Sequence, residues 1–535
     1  MRLPRLVDSV VIVTSCLLDV RFARAQPAPT PQPETVAPVP VPDIPPPAPV
    51  APPPPSAAPS APGTPPPTAA AAPPDATKTV AAEFTSLRIL RSKGVISQEE
   101  YDSALRDLGE TSGMRAGDGN TFVLGKWATT LYGFVEADGI YDTTQSLNEI
   151  AGNTQIMRPG TFGGDHSRAQ FSIRNSRLGF RLKAPETNGI RTSAQLEMDF
   201  LGGPAPASGA EATVFNNPVL RVRHMNMKIE TPIVDFMLGQ YWTLFGWQAL
   251  YLPATIGIQG VPGGIFSRQV QARVSKTITT SAITFEAAIA ALRPPQRDSA
   301  RPAGQAGLRF ALNNWTAPQT ANFTGTAIQP LSVAVTGDLR SVRIPEFAEK
   351  PTYTNSKMGG GVAVDAFIPV IPGGKETKGN SLALNGELST GSGTSDLYTS
   401  QGGGVANPAL PIPMGATAAP AFDPHIDGGI AIYDPNGTLH LVQWTAFLVG
   451  IQYYFPGSGN LFASANYSRT QSSNTTDLGT DAKTRKSEEW FDFNLYWDLV
   501  PSVRFGAEYA HFRDVYNDGG HAINNRGQVS AAFLF

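Results

Sequence analysis

The chain of 535 residues has a single cysteine, Cys16. That excludes a disulfide framework and, if the first residues are cleaved, any thiol chemistry in the mature protein. It also lacks an excess of either charge. Its 41 Lys and Arg against 44 Asp and Glu give a net charge of −3, with no basic surplus to suggest nucleic acid. No apolar run approaches the ~18 residues of a membrane-spanning helix. Any passage through a membrane must therefore be made by strands. The six histidines, His166, His224, His425, His440, His511 and His521, show no HxxxH spacing, so the sequence offers no metal site and no cofactor.

What is present falls into four parts. Arg2 and Arg5, the short apolar run Val10 to Leu18, and Ala23-Arg24-Ala25 before Gln26 read as an export signal over residues 1–25. "VTSC" around Cys16 also fits a lipoprotein cleavage box. Residues 26–78 hold nearly half of the 48 prolines, which predicts an extended polyproline II spacer. Residues 79–112 predict two short helices, divided at Gly94, the second opened by a Ser97–Glu100 capping box. Their apolar stripe suits either self-association or a helical hairpin within one chain.

From about residue 126 to 535 the period changes to two. In "GIRTSAQLEMDF" (189–200), Ile190, Thr192, Ala194, Leu196, Met198 and Phe200 share one face, and Arg191, Ser193, Gln195, Glu197 and Asp199 share the other. "WFDFNLYWDLV" (490–500) and "NSLALNGELS" (380–389) alternate in the same way. About sixteen such runs occur, most longer than the ~5–6 residues usual in soluble strands. Tight turns at 185–189, 456–460 and 500–502 alternate with long loops at 143–167, 202–217, 246–265, 344–356, 390–437 and 471–486. In lipid every backbone polar group must be satisfied within the protein, so such strands must close into a barrel. The predicted fold is all-β, a 16-stranded antiparallel transmembrane barrel with a short helical segment before it. Tyr132, Trp242, Phe245, Tyr453, Tyr454, Phe455, Trp490, Trp497 and Tyr509, near strand ends, are predicted to gird the membrane interfaces.

"LYGFVEADGIYD" (131–142), "NSRLGF" (175–180), "LEMDF" (196–200), "LRVRHMNMKIE" (220–230), "GQYWTLF" (239–245) and the terminal Phe535 resemble the DcaP-like outer-membrane porins. These are related more loosely to the phosphate-selective porins. The resemblance covers residues 126–535. It implies a homotrimer in the Gram-negative outer membrane, a periplasmic N-terminal segment and passive uptake of small anionic solutes such as dicarboxylates. It further implies contact with lipopolysaccharide and, through Phe535, with the barrel-assembly machinery. The proline tract and the loop at 390–437 depart from the family pattern.

A passive pore selects by width and field. Alternation places Arg177, Arg181, Arg191 and Arg273 in the lumen. Lipid would penalise Arg221 and Arg223, so a phase change near His224 is expected to turn them inward. Arg174 is out of phase and calls for a bulge. The acidic counterparts are Glu136, Asp138, Glu197, Asp199, Asp365 and Glu387, with Asp492 and Glu508 on later strands. Replacing Arg191 and Arg221 by alanine is expected to weaken anion preference. Loop 246–265, rich in glycine, is expected either to fold inward and narrow the channel or to remain an ordinary exposed loop. The rival function is a structural or adhesive barrel tethered by the proline tract; an enzyme has no supporting motif.

Overall fold

The structure is a computed structural model. It describes residues 87–535 except 88, 92, 98–99, 102–103, 105–114, 117–120, 125–126, 152–154, 204–218, 248–249, 258–260, 295–300, 322, 400, 402–408, 422–428 and 479–483. The predicted signal and the proline tract lie outside the described residues, as does much of the 79–112 segment.

Within that segment, the chain turns at Gly94 (φ 69°), whose N–H donates to the Arg91 carbonyl while that of Val95 reaches back to Leu90. This is the pattern that ends a helix with a left-handed residue. Ser97 and Glu100 cap each other: the Ser97 N–H donates to Glu100 Oε2 at 2.7 Å and the Glu100 N–H to Ser97 Oγ at 3.1 Å. The Ser97 N–H holds the Glu100 carboxyl below its ordinary range. Tyr101 packs on Leu87 and Ile96, a contact within one chain.

Sixteen antiparallel strands follow: β1 (Trp127–Asp142), β2 in two pieces (Arg168–Ser172 and Arg177–Lys183), β3 (Arg191–Asp199), β4 (Arg221–Glu230), β5 (Asp235–Trp242), β6 (Arg268–Thr279), β7 (Ile283–Leu292), β8 (Ala303–Thr320), β9 (Thr326–Pro345), β10 (Thr354–Ile371), β11 (Ser381–Ser392), β12 (Gln443–Tyr454), β13 (Leu461–Ser472), β14 (Arg485–Val500), β15 (Val503–Tyr516) and β16 (His521–Leu534). Each pairs with its sequence neighbour. β16 then pairs with β1, from Arg526↔Asp142 to Leu534↔Phe134, and closes the barrel. Phe535 completes the seam by exchanging two backbone hydrogen bonds with Gly133. Closure leaves no edge with free N–H and C=O groups, which a hydrocarbon surround requires. The outward face read from the sequence is on the outside: Phe491, Phe493, Leu495, Trp497 and Leu499 of β14 are exposed while Asp492 and Asn494 are buried.

Two irregularities adjust the alternation. Between Ser172↔Asp138 and Arg177↔Phe134, β2 has one residue more than β1. In this bulge Arg174 reaches Glu149 at 2.9 Å and the carbonyls of Phe200 and Gly202. On β4, Glu197 faces His224 but Met198 faces Val222, so Arg223 is the extra residue. Val222 and Met225 are exposed on one side, whereas Arg223 and His224 are buried on the other.

The interior is not an empty bore. The described residues between Thr243 and Ser267, linking β5 and β6, run inside the barrel. They are called the inner loop below. A buried loop is tolerable only if its backbone polar groups find partners, and here the wall supplies them. Gln305 Oε1 on β8 accepts the N–H groups of Leu244 and Phe245, and Thr336 Oγ1 on β9 that of Gly246. Asn385 on β11 donates to the Tyr251 carbonyl. Ser464 and Asn466 on β13 donate to the Ala254 carbonyl at 2.8 and 2.7 Å. Glu508 Oε2 on β15 accepts from Ile256 and Gly257 N–H at 2.8 and 2.7 Å and from Thr255 Oγ1 at 3.0 Å. Glu387 Oε1 on β11 accepts from Ile265 N–H at 2.9 Å. Glycines in the wall leave room for loop side chains. A Cβ on Gly506 would lie 2.5 Å from Ile256 Cδ1, and one on Gly307 2.6 Å from the Trp247 ring.

At the end of the barrel with the short turns, an aromatic group packs against this loop. Tyr454, Phe462 and Tyr496 stack with centroids 4.6 and 4.5 Å apart, and Phe323, Phe134, Ala254 and Ile256 complete the cluster. The expected interface positions of Trp242, Phe245, Tyr454 and Trp490 are therefore corrected: all four are buried. Trp490 and Tyr454 fall on the inward phase of their strands. Phe245 has left its strand for the inner loop, and Trp242 is covered by Phe266 and His224.

Candidate functional site

The inner loop lies along the wall from β7, where Leu244 and Trp247 pack on Ala288, Ala290 and Leu292, to β15, and a cavity of about 410 Å³ opens toward β2 to β6. Its wall side presents Arg181, Lys183, Gln195, Asn226, Lys228 and Tyr241, together with Arg273 and Glu286; Trp247 and Leu250 close it from the loop side. Strand register explains the cations. Lys183↔Ser193, Ser193↔Lys228, Lys228↔Met237 and Met237↔Arg273 are successive cross-strand pairs. One row across five strands thus carries three inward cations. Arg181 lies two residues from Lys183 on the same face.

These cations are not equally free. Lys228 Nζ meets Glu230 at 2.7 Å and Asp235 at 3.5 Å. Arg181 instead lies over the Tyr132 ring, 4.1 Å from its centroid. Arg273 donates to Gln271 Oε1 at 3.1 Å and to the Trp242 carbonyl at 2.7 Å. Neutral partners orient both guanidinium groups without cancelling their charge. Glu286, the nearest acid on β7, is taken by Arg309 at 2.6 Å.

The other predicted basic residues behave differently. Arg221 forms a two-point pair with Asp199, Nε to Oδ1 at 2.9 Å and Nη2 to Oδ2 at 2.6 Å. Arg223, almost wholly buried, bridges Glu197 at 2.7 Å and Asp199 at 3.0 Å. Arg177 lies 3.7 Å from Glu197 and over the Phe134 ring. These three guanidinium groups and the two carboxylates form one closed network, bounded by His224, which lies 3.7 Å from Glu197. Arg191 has the inward phase but stands at the turn-end rim, 63% exposed, with Glu230 at 3.7 Å.

The acidic residues are corrected as a group. Glu136, Asp138, Asp365 and Glu387 point inward yet are buried, so they do not line open water. Asp138 accepts from Asn175, Gln528 and Ser530. Asp365 and Glu387 face one another across β10 and β11, beneath the inner loop. On β14 and β15, Asp492 and Glu508 are diagonal, opposite Ala510 and Asn494: Asp492 accepts from Asn466 at 2.7 Å, and Glu508 holds the loop backbone. Sequence reading had no means to foresee that carboxylates placed for a lumen would be spent as acceptors for a loop some 120 to 250 residues away. It also missed Trp247 as a lining residue. The one local signal is the run of glycines in "GWQALYLPATIGIQGVPGGI", which suits close backbone packing.

No family model and no curated protein matches the chain. Among solved structures, it is similar to the outer membrane channel DcaP of Acinetobacter baumannii, with a TM-score of 0.56 at 17% identity over 79% of this chain and 99% of that one. An anion-selective porin from Comamonas acidovorans is similar at a TM-score of 0.43 and 12% identity, over 76% of this chain and 100% of that one. Pseudomonas putida OprB follows at 0.41 and 10%, over 75% and 94%. At such identities the likeness to DcaP shows a shared fold, the sixteen-stranded porin barrel.

Proposed function

We propose that the protein is a passive outer-membrane channel for small hydrophilic solutes and that it favours anions, dicarboxylates among them. The observation that carries the reading is the pair Arg181 and Arg273, turned toward the cavity and held by groups without charge. In a narrow passage between low-dielectric walls, uncompensated cations concentrate anions and repel cations. Arg177, Arg221 and Arg223 are occupied by Glu197 and Asp199 and serve the wall. Selectivity therefore rests on Arg181 and Arg273 rather than on Arg191 and Arg221. Trimer formation, lipopolysaccharide contact, and recognition of Phe535 during assembly belong to the same reading, as does a periplasmic position for the N-terminal segment.

Reversal potentials across a potassium chloride gradient test it. The purified protein in a planar bilayer passes chloride in preference to potassium. Arg181→Ala with Arg273→Ala lowers the permeability ratio by roughly 3-fold or more. Cation preference in the parent protein, or an unchanged ratio in the double variant, rejects the assignment. Absence of any conductance rejects the channel itself.

A further inference from the structure

The long loop after β11 also enters the barrel. Its short helical turn, Ser395–Leu397, lies against the limb of the inner loop that returns to β6. The Phe266 N–H donates to the Leu397 carbonyl at 2.9 Å, and the Thr399 N–H donates to the Gly264 carbonyl at 3.2 Å. Ile265 and Tyr398 face each other between these bonds as an antiparallel pair. The side chains reinforce the backbone contact: Leu397, Tyr398, Ile265 and Phe245 form one cluster with Ala363 and Ala446 of the wall. Asp396 fixes the other side of the turn. It accepts from Arg340 Nη1 at 2.5 Å and from Gln269 Nε2 at 3.4 Å. Arg340, fully buried on β9, is itself held by Asp338 at 2.6 Å.

We infer that the constriction is built by two loops acting as one body: residues 395–399 of the long loop clamp the inner loop and so set the width of the passage. This rests on the channel reading. The inner loop is tied along its outgoing limb and tip by Gln305, Thr336, Asn385, Asn466 and Glu508. Its returning limb, Gly264–Phe266, makes two backbone bonds to residues 397 and 399 and one to Glu387. Two of those three bonds disappear if the long loop withdraws. The returning limb is then free to lean toward the wall or into the bore, and the gap beside Arg181 and Arg273 changes with it.

The chain's one cysteine makes a clean test possible. In a Cys16→Ser background, Ile265→Cys with Tyr398→Cys places two thiols at a directly opposed antiparallel pair. Such pairs have Cα atoms about 4.5–5.5 Å apart, within the range a disulfide spans. Oxidation is expected to crosslink them, seen as a mobility shift of the denatured chain that reductant abolishes. The oxidised channel should conduct like the parent. On reduction, conductance should rise by roughly 1.5-fold with frequent current fluctuations. Asp396→Ala, which frees the turn while Arg340 keeps Asp338, should raise conductance in the same direction. Failure to crosslink in the folded barrel overturns the inference. So does a crosslinked channel whose conductance is indifferent to reductant. A double variant that crosslinks, beside a parent protein that never conducts, would instead count against the channel reading alone.

Discussion

The two walls of the barrel obey the same alternation and end up in different media. On β10 to β15 the inward side chains that meet the inner loop's backbone are short hydrogen-bonding groups and carboxylates: Asn385, Glu387, Ser464, Asn466, Ser468, Asn494 and Glu508. On β2 to β6 the cavity is met by the cations Arg181, Lys183, Lys228 and Arg273 and by Tyr241. A short amide or acid can meet an incoming backbone at hydrogen-bond distance. A long guanidinium would hold it away. The chemistry of each wall thus matches what lies against it, and polar inward residues do not by themselves mean water.

The contrast can be broken most severely at the closed network. Arg223→Leu leaves Glu197 and Asp199 buried with less compensation, a change worth about 3–5 kcal/mol when a buried pair is broken. It should sharply lower the unfolding temperature of the detergent-solubilised barrel while anion preference stays near the parent value. Arg181→Leu should do the reverse, with stability nearly unchanged and selectivity reduced. Equal effects of the two variants on selectivity would erase the distinction between structural and solute-facing arginines.

Filling the notch at Gly506 tests the covered wall. Gly506→Leu drives a side chain into the place of Ile256. Overpacking of this kind costs about 1–3 kcal/mol. The loop tip is expected to lift from β15, with a lower unfolding temperature and altered conductance. Parent-like values of both would show that the loop is not seated there.

The smallest effect is expected from pH at the roof of the covered wall. The strands Ala431–Tyr433 and Leu439–Leu441 form a hairpin packed on Val342 and Ile344 of β9. Asp434 in its turn accepts the Thr438 and Asn436 N–H groups at 2.9 Å each and meets His440 at 3.0 Å. The Thr438 N–H, above all, holds its carboxyl below the ordinary 3.8. A depressed carboxyl stabilises the folded hairpin above pH 3.8, and that contribution is lost as pH falls through the lowered value. Protease nicking within 431–441 should therefore increase in that acidic window and not at pH 5–7. Asp434→Asn should remove the dependence.

Several particulars of this architecture were legible before any coordinates. Period-two patterning placed Phe491, Phe493, Leu495 and Trp497 outside, and the Ser97–Glu100 cap was readable from spacing. The sequence could not say that Phe245 and Tyr454 would meet protein instead of the membrane interface. Nor could it separate Arg181 from Arg221, since both are expected in the lumen, one by alternation and one by the phase change near His224.

By itself, the chain's sequence determined a closed barrel with apolar side chains turned outward. Alternation is a property of neighbours two residues apart, and closure follows from the need to satisfy strand edges in lipid. Only the tertiary structure decided which inward residues face the cavity, because that depends on where a loop from one side of the barrel comes to rest on the other. Its resting place is set by hydrogen bonds spanning up to 253 positions, and no local pattern encodes them.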